Sequence, residues 1–288
     1  VLVFIAIGWG FVKSSNHVPY MIPEGTPGHE GIFKYGIGGI LGGAAIVFFA
    51  FIGFDAVSTA AQEAKNPKRD MPIGILGSLL VCTILYILFS HVLTGVANWT
   101  EFESAGKEAS VAYAIKTYMT GYGWLAKGVT IAILAGFSSV ILVMLMGQSR
   151  VFYSMSNDGL LPKAFSELHP KFRTPYKSNM ILFLFVGAFA AFVPGSVAGD
   201  LTSFGTLFAF VIVCAGIWII RVKSPEIERP FKTPLVPLVP ILGILVCLGM
   251  IVALDAATLQ AAALWMILGL VFYFIYGRKN SFLNSGKN

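Results

Sequence analysis

The chain has 288 residues, of which 56% are hydrophobic and 12% charged, and its net charge is +6. Soluble domains carry about 25% charged residues, so this composition excludes an ordinary water-soluble globule and describes a protein built for lipid. No HExxH, GxSxG or Walker-type glycine-lysine pattern occurs, and the apolar runs hold no grouping of His, Cys and acidic residues, so enzymatic and cofactor chemistry find no residues to use.

Residues 1–12 form a short apolar run that rises only about 18 Å as a helix, too little to cross a bilayer. Without a starting Met or a basic leader it does not read as a signal peptide. It is expected to be the end of a helix belonging to a longer protein. Seven charge-free runs follow: 35–54, 71–100, 128–149, 178–199, 201–220, 233–254 and 256–277, each of at least 20 residues. About 20 residues span ~30 Å of hydrocarbon, which predicts seven complete transmembrane helices. Gly38/Gly42 and Gly39/Gly43 are small-xxx-small pairs suited to close helix packing.

Pro67 and Pro72 predict a firmly punctuated loop over 63–72, with the next helix running from about Ile73 to Ala97. His91 within it reads as a structural hydrogen-bonding residue ahead of a proton relay. A helix over 126–155 extends beyond the lipid. "PGSVAGD" predicts an outward turn in which Pro194, Gly195 and Gly199 separate two helices. "SPEIERPFKTPLVP" (224–237) is a proline-rich linker. The cysteines, Cys82, Cys214 and Cys247, show no paired spacing for a metal or a disulfide framework. Asn98-Trp99-Thr100 matches a glycosylation acceptor pressed against the membrane.

If the helices alternate, 15 of the 20 Lys and Arg residues fall on the side holding loops 62–72, 151–177 and 222–235 and the C-terminus. The positive-inside rule makes that side cytoplasmic. The basic residues orient the protein in its bilayer, and nucleic acid is not expected as a partner.

The stretch "FFAFIGFDAVSTAAQEAKNPKRD" (48–70) sets Gly53, Phe54 and Asp55 inside an apolar run. A carboxylate in hydrocarbon costs about 2.5–3.5 kcal/mol on insertion scales, so it calls for a partner or a task. Gly53 weakens the helix, and Asp55 suits an N-cap. The pattern predicts that helix 36–52 stops, the chain unwinds over Ile52-Gly53-Phe54, and a second half-helix starts near Asp55. Non-helical backbone at membrane depth is tolerated only where it lines a cavity or lies within protein. The carbonyls ending the first half carry partial negative charge, a seat for a cation or an ammonium group.

"FFAFIGFDAVSTAAQEAKNPKRDMPIGI" resembles the sixth helix and following loop of transporters of the amino acid–polyamine–organocation superfamily, most closely its cationic amino acid transporter family. "GQSRVFYSMSNDGLLPKAF" (147–165) is similar to the eighth helix and inner loop of that family, and "FGTLFAFVIVCAGIWIIR" (204–221) to its tenth helix. The resemblance implies an all-α integral membrane protein with the inverted-repeat, leucine-transporter-like fold, truncated at its N-terminus. Residues 1–12 would then end helix five, 36–221 would be the second inverted repeat (helices six to ten), and 236–277 the accessory helices eleven and twelve. It also implies a substrate ammonium at the carbonyls of Phe49, Ala50 and Ile52, beside Gly53, with Phe54 as the covering aromatic. Met144 would border the side-chain pocket and Asp55 would be structural.

On that basis the expectation is a multi-pass transporter of the plasma membrane, C-terminus cytoplasmic, importing a neutral α-amino acid by alternating access. A proton is the expected coupling ion and no cofactor is needed. The carboxylate-binding glycine motif of helix one and the helix-five lysine of some relatives would lie before Val1, among the missing N-terminal helices. An exchanger or cationic amino acid transporter of the same fold stays open, as does a non-transporting receptor or subunit.

Overall fold

The computed structural model describes residues 1–54, 65–104, 110–229 and 231–282. Among these, every regular element is helical. In chain order they are α1 (Leu2–Gly8), α2 (Gly36–Val47), α3 (Pro67–Val96), α4 (Trp99–Ser104), α5 (Ser110–Tyr118), α6 (Gly123–Asn157), α7 (Tyr176–Phe192), α8 (Gly195–Lys223), α9 (Leu238–Val252), α10 (Ala256–Phe272) and α11 (Arg278–Asn280). Short 3-10 turns interrupt or extend several of them.

Among the described residues four helices are long and apolar enough to cross a membrane: α3, α6, α8 and the continuous stretch Ala256–Asn280. The other charge-free runs form shorter helices over Gly36–Phe51, Tyr176–Phe192 and Leu238–Val252. At 1.5 Å per residue these reach only about 23–26 Å. Seven complete spans were expected; proline explains part of the difference, because Pro194 follows the end of α7 and opens α8, and Pro237 fixes the start of α9. The 35–54 run is cut by the backbone turn described below.

Proline also corrects two loops. Pro67 occupies the first position of α3, and Pro72 lies inside the helix. At the first position a missing N–H costs nothing, and the fixed φ suits helix entry. Here proline opens the helix six residues before the expected Ile73. The Asp70 carboxylate supports this start by accepting the Asn66 backbone N–H at 3.3 Å. In the same way, "PGSVAGD" is no loop: Pro194 is the N-cap of α8, and Gly195 and Gly199 lie in its first turns. The turn between α7 and α8 shrinks to Val193-Pro194.

The chain divides into two compact units, residues 1–40 with 60–141 and residues 41–59 with 142–288. In the first, α1 packs on α3. A Cβ on Gly8 would meet Val92 at 2.6 Å, so glycine sets that approach. Phe4, Val92, Val96, Ile115 and Met119 form the buried core with Leu125 and Ala126. Apolar side chains gain little by leaving lipid for protein, so close backbone approach of this kind carries helix association. Outside α1, the 13–17 segment is stapled to the end of α3. The Lys13 N–H and the Asn16 side-chain amide both donate to the Gly95 carbonyl, each at 2.9 Å. The His17 Nε2 donates to the His91 carbonyl at 3.0 Å. The His17 and His91 rings stack with centroids 4.5 Å apart, so the His91 ring is a packing partner. Gly38 is set against the preceding loop, since a Cβ there would meet the Ile32 carbonyl oxygen at 1.8 Å. The Asn98 amide donates to the Asn16 carbonyl at 3.5 Å, tying the glycosylation-like asparagine inward.

In the second unit α8 packs along α9 and touches α10. Gly243 of α9 lets the Cys214 thiol come within 2.9 Å of where its Cβ would be. Helix α6 ends in a backbone-closed cap: Gly159 N–H donates to Ser156 and Leu160 N–H to Met155, at 3.1 and 2.9 Å. That is the Schellman pattern, with Gly159 at φ +80° in the left-handed position it demands. The segment just after α11 docks there, Phe282 N–H donating to the Asp158 carbonyl at 3.2 Å. Helix α8 is closed differently. The Arg229 guanidinium wraps its end, donating to the carbonyls of Ser224 (2.6 Å), Ile227 (2.8 Å), Ile220 (3.2 Å) and Pro225 (3.3 Å).

Candidate functional site

The α-helical hydrogen bonding of α2 stops at Val47, and a 3-10 turn over Phe48–Phe51 tightens the last carbonyls. Ile52 then swings to an extended conformation at φ −62°, ψ 129°, and Gly53 adopts φ +127°. Only glycine takes up that backbone region at low cost. The expected stop and turn are therefore present, with α2 ending five residues before Ile52, while the second half-helix expected near Asp55 lies outside the described residues. Bulky aromatics at 48, 49 and 51 lose side-chain freedom against a helical turn, which favours the tighter, shorter segment. Ile52 N–H donates to the Phe49 carbonyl at 3.2 Å. A carbonyl oxygen has two acceptor positions, so that bond uses one of them.

Around this turn the second unit gathers apolar side chains. A Cβ built on Gly53 would lie 3.3 Å from the Met144 methyl group, so Met144 of α6 stands directly over the turn. Phe210 of α8 fits between two aromatics that flank the break. Its ring lies 6.0 Å from Phe48, edge on at 89°, and 5.7 Å from Phe54, tilted at 53°. The Phe49 ring is turned away and 50% exposed, so only its backbone belongs to the site. Asp55 lies outside the described residues. Gly53, Phe54 and Met144 are brought together; Ile52 supplies the extended link between Phe49 and Gly53.

The side chains named here carry no charge, so the polarity near the turn comes from main-chain carbonyls at the negative end of α2. Among the described residues no three His, Cys, Asp or Glu side chains converge as a metal site. Sequence reasoning did not single out Phe210, because a phenylalanine inside an apolar helix has nothing to set it apart. Lys177, just ahead of the 178–199 run, pairs with Glu167, and the hydrogen bond to that carboxylate holds the ammonium above its ordinary pKa.

Helical elements throughout the described residues, several of them long and apolar enough to cross a membrane, describe an all-α integral membrane protein. The chain belongs to the amino acid permease family, whose model matches residues 1–276. It is similar to the branched-chain amino acid permease BcaP of Bacillus subtilis (strain 168), at 42% identity over 99% of this chain and 58% of that protein. The methylthioribose transporter of the same organism is 36% identical with the same coverage. The vacuolar cationic amino acid transporter 4 of Arabidopsis thaliana is 35% identical over 78% of this chain and 36% of its own length. The chain thus spans about 58% of the length of the first two relatives. These are families of permeases and transporters rather than enzymes.

Proposed function

We propose that the protein is a secondary transporter that imports an α-amino acid, neutral and apolar in its side chain, by alternating access coupled to an ion, with a proton as that ion. The observation that carries the reading is the loss of helix at 48–53 inside an apolar run, with the turn at Gly53 roofed by Met144. Broken membrane helices of this kind supply ion and substrate sites in transporters. The ammonium group would sit at the carbonyls of Phe49, Ala50 and Ile52, the side chain against Phe54, Phe210 and Met144. A set of contacts without an acidic side chain among the described residues suits a neutral substrate, in keeping with the branched-chain amino acid permease to which the chain is similar. The plasma membrane, a cytoplasmic C-terminus and the inverted-repeat arrangement belong to the same proposal, supported by the charge distribution and the family.

A second reading is favoured by the methylthioribose relative, whose named substrate has no ammonium group. Competition uptake with the full-length protein in liposomes separates the two. Branched-chain amino acids should compete, and their N-acetylated forms should compete at least about tenfold more weakly, because a hydrogen bond to a charged group is worth about 1.5–3 kcal/mol and ~1.4 kcal/mol is a factor of ten. Equal competition by both forms, or by methylthioribose alone, would overturn the amine site. Uptake unaffected by collapsing the proton gradient would remove the proton.

A further inference from the structure

We infer that the groove between the C-terminal half of α6 and the start of α7 is a binding site for an anionic phospholipid of the inner leaflet. It lies wholly within the second unit and encloses about 550 Å³, within the range of small-molecule pockets. Its two ends differ chemically. Leu142, Met146 and Phe183 line one end, and Arg150, Tyr153 and Arg173 the other. The change falls where the charge-free run 128–149 stops, which is the depth at which acyl chains give way to headgroups. None of the described residues that line the groove is acidic. Basic pockets between membrane helices on the cytoplasmic side suit phosphate headgroups, and guanidiniums bind phosphate through paired N–H donors.

The backbone supports the assignment independently. Arg173 stands at φ +51°, a left-handed conformation unusual for a residue other than glycine. A folded loop imposes it: Arg173 N–H donates to the His169 carbonyl at 2.9 Å, and His169 N–H to the Thr174 carbonyl at 2.8 Å. The His169 Nδ1 accepts the backbone N–H groups of Lys171 and Phe172 at 3.2 and 3.3 Å. Strained backbone of this kind concentrates at functional sites. Here it delivers a guanidinium to a groove that already holds Arg150.

The test uses the full-length protein, delipidated in detergent and probed with dioleoyl phosphatidylglycerol, with phosphatidylcholine of the same chains, and with glycerol 3-phosphate. Phosphatidylglycerol should stay bound in native mass spectra and raise the melting temperature by several degrees, while phosphatidylcholine and the chainless phosphate do neither. Arg173→Gly is the decisive variant, because glycine relieves the left-handed backbone and should fold at least as well. It should weaken phosphatidylglycerol retention at least tenfold, as should Arg150→Gln, whereas Arg278→Gln outside the groove should not. Full retention by Arg173→Gly would overturn the site. So would equal binding of both lipids, the outcome expected if protein rather than lipid fills the groove. Stabilisation by glycerol 3-phosphate alone would reassign it to a soluble phosphate.

Discussion

Two helices of the second unit end near a glycine with positive φ, and the neighbours of those glycines differ. At Gly159 a Cβ would meet the carbonyl oxygen of Asn280 at 2.1 Å, a backbone atom that cannot move aside. At Gly53 it would meet the terminal methyl of Met144 at 3.3 Å, the far end of a flexible side chain. The first glycine closes a helix with its own backbone and seats the Asn280–Ser281 backbone. The second turns the chain beneath a side chain that can adapt its shape. A left-handed glycine alone therefore does not separate architecture from function; what stands against it does.

The largest effect expected from breaking this comparison is on stability. Gly159→Ala adds left-handed strain, about 1–3 kcal/mol, to an overpacked contact of similar cost, and should give the larger drop in melting temperature. Gly53→Ala carries the strain but little of the clash, so it should unfold at a temperature nearer the parent's while losing uptake. If the two variants melt alike and transport alike, the distinction fails. Next comes the aromatic cover: Phe54→Ala should lower uptake roughly tenfold, the equivalent of ~1.4 kcal/mol, with little change in melting, and Phe54→Tyr should be milder. Loss of folding in Phe54→Ala would make that ring a core residue. The smallest effect belongs to the third helix end. Arg229→Lys keeps the charge but not the fork of donors, and should cost about 0.3–1 kcal/mol, read as a small shift in thermal unfolding.

How much of this could be read from residues alone depended on whether the residue itself marks the feature. Gly53 beside an acid in an apolar run pointed to the break, and long charge-free runs pointed to membrane helices. The earlier stop at Val47 was hidden, because Phe48 to Phe51 are compatible with helix until the backbone beyond them turns. Pro67, Pro72 and Pro194 were read as loop punctuation, although proline equally opens a helix, and only the partners of the flanking N–H groups decide. Arg229 was counted as an orienting charge. Its use as a cap depends on a guanidinium folding back over four carbonyls, which no spacing announces. Phe210 entered the site through contacts with Phe48 and Phe54, residues more than 150 positions away in the chain.

The stapled segment at the C-terminal end of α3 bears on exchange with solvent. Lys13 N–H is bonded to the Gly95 carbonyl, and a Cβ on Gly95 would meet Val12 at 2.6 Å and His17 at 3.0 Å. Releasing that amide therefore requires Val12, Lys13, Asn16 and His17 to lift together, a cooperative opening rather than the fraying ordinary at a helix-flanking loop. In deuterated water the Lys13 amide should keep its proton far longer than its exposed position implies, and substituting Asn16 should release it, because the staple is only as durable as its least protected bond.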